Sequence, residues 1–297
     1  MILMLLIISL SVVCLLAMAY KFYTSPKEFL PVKQQIKLAA SGFVAFIADT
    51  FGVGSFAVNI AFSKIFSSFH DDELPGAVNG AQVLPGAIES LFFMQMVSVD
   101  LTTLIVLVAG TCIGGFFGGH LISHMHKQTI RITMVICFLA VITLLLGYQF
   151  KLMPLGGEEL SLSGYKLVIG FFALILCGAL TCAGVGLFVM VQSVLFLLNV
   201  SPEVAFPIMT TAGAMQQPLT TMVFLKKGRI PLKKTWILSL AGCIGVLFAL
   251  PVFNALSGDA LRVLLIGVLI YNAASMGLTY MRTRKADLEA GEVIFSA

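Results

Sequence analysis

Two short glycine motifs are the residues best suited to binding a small ligand. Gly52-Val53-Gly54 and Gly184-Val185-Gly186 each interrupt a long apolar run. Glycine lets the backbone leave a helix, and the half-helix that follows begins with free N–H groups that attract anions. The pair therefore predicts a two-sided cradle for a small anion. The alternative is that these glycines only allow helices to pack closely.

Three side chains beside these motifs are predicted to contact the substrate. Ser55 follows the first motif, and Thr181 and Cys182 precede the second. Hydroxyl and thiol groups can donate to an anion. For Cys182 the alternative is a small residue that fills buried space, since all six cysteines fall in apolar runs without a CxxC pair.

Two carboxyl groups also fall inside apolar runs. Asp49 stands three residues before Gly52, and Glu89 lies in the following run. Ionisable groups within a membrane are usually functional, so we predict that one or both carry a coupled proton. The alternative for Asp49 is a cap for the half-helix after the break.

Polar side chains recur on one face of two further apolar runs. Glu89 shares its face with Asn79 and Gln82, and a later run repeats the pattern with Thr210 and Gln217. These four Asn, Gln and Thr residues are predicted to line a polar path. The alternative is hydrogen bonding between helices.

A histidine pair could instead bind a metal ion. His120 and His124 have the i, i+4 spacing of metal ligands, and the acidic loop at 70–73 is expected on the same side of the membrane. The alternative is a solvated rim.

The composition places these residues in a membrane. Of 297 residues, 59% are hydrophobic and only 11% are charged, and the mean hydropathy is +1.03. A soluble domain is about 25% charged. A soluble enzyme is therefore excluded, and no enzyme or cofactor motif is present. The net charge of +4 comes from Lys and Arg at span ends, which does not indicate nucleic-acid binding.

We predict an all-α polytopic membrane protein with about nine transmembrane helices. Two of the runs are too long for one straight crossing and contain the glycine motifs. The expected spans are 2–20, 38–66, 75–97, 101–123, 130–150, 165–199, 204–225, 235–256 and 260–281.

Charge counting gives an expected orientation. With nine crossings, fourteen Lys and Arg residues fall on one side of the membrane and four on the other. The positive-inside rule then places the N-terminus outside and the C-terminus in the cytoplasm. In this arrangement residues 124–130 face outward and residues 226–234 face the cytoplasm.

An internal repeat divides the chain. Residues 49–56 match residues 181–188 at a spacing of 132, and the stripe Gly110, Gly114, Gly118 matches Ala241, Gly245, Ala249. We interpret these stripes as helix packing surfaces. Nine crossings predict parallel repeats, unless the glycine-broken segments are re-entrant, which would change the relative orientation. The expected units are an N-terminal helix and basic loop at 1–36, four-helix repeats at 37–150 and 165–281, a connecting loop at 151–164 and a tail at 282–297.

These motifs resemble the TauE/SafE sulfite exporter family over about residues 37–281. The resemblance rests on Asp49-Thr-Phe-Gly-Val-Gly-Ser-Phe56, Leu74-Pro-Gly-Ala-Val-Asn79 and Leu84-Pro85. It implies a multi-pass permease of the bacterial inner membrane that exports small sulfur-containing anions, sulfite or organosulfonates. The family often has further glycines where this chain has Ser55-Phe56 and Leu187-Phe188, which leaves the anion open.

The expected partners are therefore a small anionic substrate and the lipid bilayer, with a homo-oligomer open and no cofactor. Two other functions remain alternatives. One is a divalent-cation transporter that uses the His, Asp and Glu groups. The other is a membrane partner or sensor that transports nothing.

Overall fold

The computed structural model describes residues 2–26, 29–52, 54–70, 73–125, 157–183 and 186–255. These parts of the chain contain nine α-helices and only an isolated bridge of β type, between Glu159 and Val200. The all-α prediction is confirmed for them. The helices are α1 Ile2–Thr24, α2 Val32–Thr50, α3 Ser55–Phe66, α4 Leu74–Met96, α5 Leu101–His124, α6 Gly164–Thr181, α7 Leu187–Leu197, α8 Pro202–Lys226 and α9 Leu232–Asn254.

Four of the described helices are long and apolar enough to cross a membrane: α1, α5, α6 and, over Leu232–Phe253, α9. Each exposes large apolar side chains, such as Leu16, Phe117, Phe172 and Phe248. Such a surface is stable in lipid but not in water. These properties are those of a membrane protein.

Helices α4 and α8 have the opposite character. They carry many of the buried polar side chains and are enclosed by the other helices. A helix that contacts neighbours on all sides needs no apolar outer face, so it can carry amide and hydroxyl groups. The polar stripes predicted from the sequence therefore lie on the two central helices.

The first glycine motif reverses the direction of the chain. Helix α2 ends at Thr50, and α3 begins at Ser55 and runs back along α2. The Ser41 hydroxyl donates to the Asn59 side-chain oxygen at 3.0 Å, and the Lys37 ammonium lies 5.1 Å from the centre of the Phe66 ring. Helices α2 and α3 thus form an antiparallel hairpin, which we call the first hairpin.

Helices α6 and α7 form the second hairpin. The backbone N–H of Glu159, before α6, donates to the Asn199 carbonyl, after α7, at 3.0 Å. The Ser201 N–H donates back to the Glu159 carbonyl at 2.9 Å. The chain therefore leaves the second hairpin beside the point where it entered.

The two hairpins open at opposite ends of the bundle. The first opens where Glu73 pairs with Lys234 at 3.4 Å, and His124 and Lys227 approach at the same end, 2.8 Å apart. We call this the basic end.

The second hairpin opens at the other end, where the Leu162 N–H donates to the Thr103 hydroxyl at 2.9 Å. Asp100 begins α5 there. The Thr103 N–H and hydroxyl each donate to its carboxylate at 2.8 Å, which holds the pKa of Asp100 below its usual value. We call this the acidic end.

These contacts correct the predicted crossings. The runs 38–66 and 165–199 are hairpins rather than single crossings, so the predicted parallel orientation is wrong. Residues 124–125 and 226–229 meet at one end, so their predicted placement on opposite sides is also wrong. The sequence marks where the helix stops, but the angle of the turn depends on backbone torsions. The predicted spans 130–150 and 260–281 and the tail lie outside the described residues.

Close helix packing explains the small-residue stripes. A Cβ at Gly114 of α5 would overlap the Ile175 carbonyl oxygen of α6, and a Cβ at Gly245 of α9 would overlap the Phe43 carbonyl oxygen of α2. A Cβ at Gly110 would lie 2.7 Å from the Phe171 carbonyl oxygen. The interpretation of both stripes as packing surfaces is confirmed.

Replacing Gly114 by alanine should therefore loosen the α5–α6 contact. We expect Gly114→Ala to lower the free energy of unfolding in detergent micelles by about 1–3 kcal/mol, because two backbones must separate. Gly119→Ala on the same helix is the matched control, since its Cβ would meet Thr220 at an ordinary 3.5 Å. Equal stability of the two variants would contradict the packing interpretation.

Candidate functional site

The tips of the two hairpins meet around one buried cavity. A Cβ on Gly186 would lie 3.8 Å from the Cβ of Phe56. The cavity has a volume of about 10 Å³, enough for about one water. Its walls are Asp49, Gly54, Phe56, Gln82, Gly186, Leu187, Phe188 and Gln217.

The turn of the first hairpin depends on glycine. Gly52 and Gly54 have φ of 85° and 89°, which other L residues rarely adopt. The Gly52 N–H closes the turn by donating to the Asp49 carbonyl at 2.8 Å. Gly186, at the tip of the second hairpin, has an ordinary φ of −58°. Gly184 lies outside the described residues.

The Asp49 carboxylate holds the start of α3. Its Oδ1 accepts a hydrogen bond from the Ser55 N–H at 2.5 Å, and its Oδ2 accepts one from the Gln82 amide. The Ser55 hydroxyl donates in turn to the Gln82 carbonyl oxygen. Asp49 therefore has the capping contact that was one of its two predicted roles, and it also faces the cavity.

Glu89 lies beside Asp49. Its Oε1 accepts from the Thr50 hydroxyl at 2.8 Å, and its Oε2 has no hydrogen-bond partner in the described structure. The two carboxyl groups are direct neighbours. Within the described ranges, no Lys, Arg or His forms an ion pair with either group. Two charges so placed would repel each other at high cost, and one proton held between them removes that cost.

The four predicted path residues divide into two pairs. Gln82 and Gln217 line the cavity, and Gln217 is 1% exposed with no partner for its Oε1. The other two residues do not line it. The Asn79 amide donates to the Pro75 carbonyl at 2.8 Å, and the Thr210 hydroxyl donates to the Phe206 carbonyl at 3.0 Å.

Thr181 and Cys182 make contacts away from the cavity. The Thr181 hydroxyl donates to the Cys177 carbonyl at 2.8 Å, and the Cys182 thiol contacts the Gly115 carbonyl at 3.2 Å. Cys182 is fully buried. Both side chains thus bond within the helix bundle, and this arrangement fits the filler interpretation of Cys182.

The motifs do not predict every residue of the site. Phe56, Leu187 and Phe188 supply an apolar wall that the sequence motifs do not indicate. Thr50, the partner of Glu89, had not been singled out. Its position next to Asp49 was the only available signal.

The histidines are engaged with their own helix. Nδ1 of His120 lies 2.9 Å from the Phe116 carbonyl oxygen, and Nδ1 of His124 lies 2.6 Å from the His120 carbonyl oxygen. Nε2 of His124 faces the Lys227 ammonium. In the described ranges, no three His, Cys, Asp or Glu side chains converge as a metal site would require.

Comparisons with protein-family models, curated proteins and solved structures find no match to this chain. The resemblance to the TauE/SafE family therefore stays a prediction that rests on the motifs alone.

Contact between the hairpin tips can be tested with a disulfide. In a chain without its native cysteines, Phe56→Cys together with Gly186→Cys should oxidise readily, because 3.8 Å is close to the mean Cβ separation in disulfides. Peptide mass analysis would identify the bond. Phe56→Cys with Ser163→Cys is the control, since Ser163 lies at the acidic end. A test pair that stays reduced like this control would show that the tips do not meet.

Proposed function

We propose that this protein is a secondary transporter that carries small sulfur-containing anions across a membrane through the cavity between the hairpin tips. One observation supports this most strongly: two glycine-broken helices place their tips at one buried cavity that contains a carboxylate and two amides. Broken helices that meet near mid-bundle are typical of transporter substrate sites. Ionisable groups buried inside membrane proteins usually serve a function.

Opposite orientation of the two hairpins supports alternating access. We interpret α2–α5 and α6–α9 as inverted repeats, because the contact of α5 with α6 is matched by the contact of α9 with α2. Each repeat then contributes one hairpin, opening at its own end. Rocking one repeat against the other would expose the cavity to each side in turn.

The charges support an orientation in the membrane. Of the ten Lys and Arg in the described ranges, only Lys166 belongs to the acidic end. The positive-inside rule makes the basic end cytoplasmic, which places the start of α1 outside. This agrees with the predicted outside location of the N-terminus. That prediction counted each glycine-broken run as one crossing, whereas this proposal treats each as a hairpin. The bacterial inner membrane is proposed from the family resemblance alone.

The carboxyl pair supports coupling to protons. An anion that enters the cavity approaches Asp49 and Glu89, and an ionised pair would repel it. A proton held between the two carboxyl groups reduces this repulsion, so the anion and the proton would occupy the site together. Sulfite or an organosulfonate is the proposed substrate because the motifs resemble those of sulfite exporters.

Flux measurements test both the substrate and the coupling. We expect liposomes with the purified protein to carry radiolabelled sulfite saturably and faster under an imposed pH gradient. Asp49→Asn and Glu89→Gln should each abolish most of the acceleration by the gradient, because an amide cannot share the proton.

Glu73→Gln is the matched control, because Glu73 pairs with Lys234 at the basic end, away from the cavity. It should retain the response to the gradient. Absence of saturable flux for both sulfite and organosulfonates would refute the proposed substrate class. Wild-type sulfite flux that does not change with the imposed pH gradient would refute the coupling to protons.

A further inference from the structure

The two hairpin tips differ at one equivalent position. At the repeat spacing of 132 residues, Thr181 takes the place of Asp49, and Leu187 takes the place of Ser55. Asp49 accepts the Ser55 N–H at the start of α3. The Thr181 hydroxyl instead donates to the Cys177 carbonyl of its own helix. No described residue accepts a hydrogen bond from the Leu187 N–H. Of the two half-helices, therefore, only α3 has a carboxylate of the protein that accepts its first N–H.

A second group without a partner faces the same place. Gln217 lines the cavity together with Gly186 and Leu187. Its side chain is 1% exposed, and among the described residues neither its Oε1 nor its Nε2, the atom that could donate to an anion, has a hydrogen-bond partner. Burying an amide without partners is costly, and such a group in a native protein usually marks a missing ligand or water. This observation is independent of the helix end.

The surroundings favour a compact oxyanion at this point. Phe56, Leu187 and Phe188 supply apolar walls, and polar contacts are stronger beside such walls than in bulk water. The Asp49 carboxylate already accepts from the Ser55 N–H of α3 and from the Gln82 amide of α4. Among the polar side chains that line the cavity, Gln217 of α8 has no hydrogen-bond partner in the described structure.

We propose that an anionic oxygen of the substrate binds at the start of α7, where the Leu187 N–H and the Gln217 amide donate to it. The substrate would thus take the position at α7 that the Asp49 carboxylate takes at α3. This assignment rests on the proposed transport function and locates the anion within its site. It also implies one anion per transport cycle, because the other helix start is already occupied.

A carboxylate introduced at position 181 should act as a permanent substitute for the anion. We expect Thr181→Asp to weaken sulfite binding by at least about tenfold, measured by calorimetry on the purified full-length protein. Its thermal unfolding midpoint without sulfite should be unchanged or raised, because the new carboxylate caps α7. Thr181→Val is the matched control and should bind sulfite like the wild type.

A second variant keeps the test decisive if Thr181→Asp does not fold. Gln217→Met keeps the volume of the side chain but removes the amide, and it should also weaken sulfite binding by about tenfold. Wild-type affinity in a folded Thr181→Asp protein, or in Gln217→Met, would overturn this assignment alone. A wild-type protein that neither binds nor carries sulfite or methanesulfonate would overturn the proposed function and this assignment with it.

Discussion

A helix that begins in the middle of an apolar bundle leaves backbone N–H groups that need partners, and the rest of this structure depends on how that need is met. In lipid, an unpaired backbone group costs several kcal/mol, by general estimates. The chain meets this cost at α3 with the Asp49 carboxylate, which accepts the Ser55 N–H. That solution buries a carboxylate, whose other oxygen accepts a hydrogen bond from the Gln82 amide.

Close packing by glycine makes this arrangement possible. The stripes on α5 and α9 bring these helices against the backbones of α6 and α2, the long arms of the two hairpins. The hairpins are thereby held from opposite ends with their tips in contact. Helices α4 and α8 then pass between them and supply the polar side chains of the cavity, which the surrounding apolar helices separate from lipid.

Much of the candidate site could be predicted from the sequence because its signals are local. Glycine pairs inside apolar runs indicate broken helices, and Asp49, Gln82 and Gln217 are conspicuous polar residues in apolar surroundings. The all-α class follows from composition and periodicity. The stripe of Gly110, Gly114 and Gly118 could also be interpreted from the sequence, because small residues spaced four apart lie on one face of a helix.

The direction of the chain after each break could not be predicted in this way. A kink and a reversal both use Gly52 and Gly54, and only their torsion angles distinguish the two outcomes. The reversals set the two hairpins in opposite directions, and residues 124–125 and 227–229 meet at one end of the bundle. The contacts of Thr181 and Cys182 were also beyond the sequence, because they depend on which way each side chain turns at the tip.

The most direct test of the account is transport by the Phe56→Cys/Gly186→Cys protein in liposomes, measured oxidised and then after reduction. If the substrate binds between the two tips, a disulfide there should block the sulfite flux seen with the wild-type protein, and a reductant should restore it. Undiminished flux in a fully cross-linked protein would contradict the claim that the cavity between the hairpin tips is the transport site.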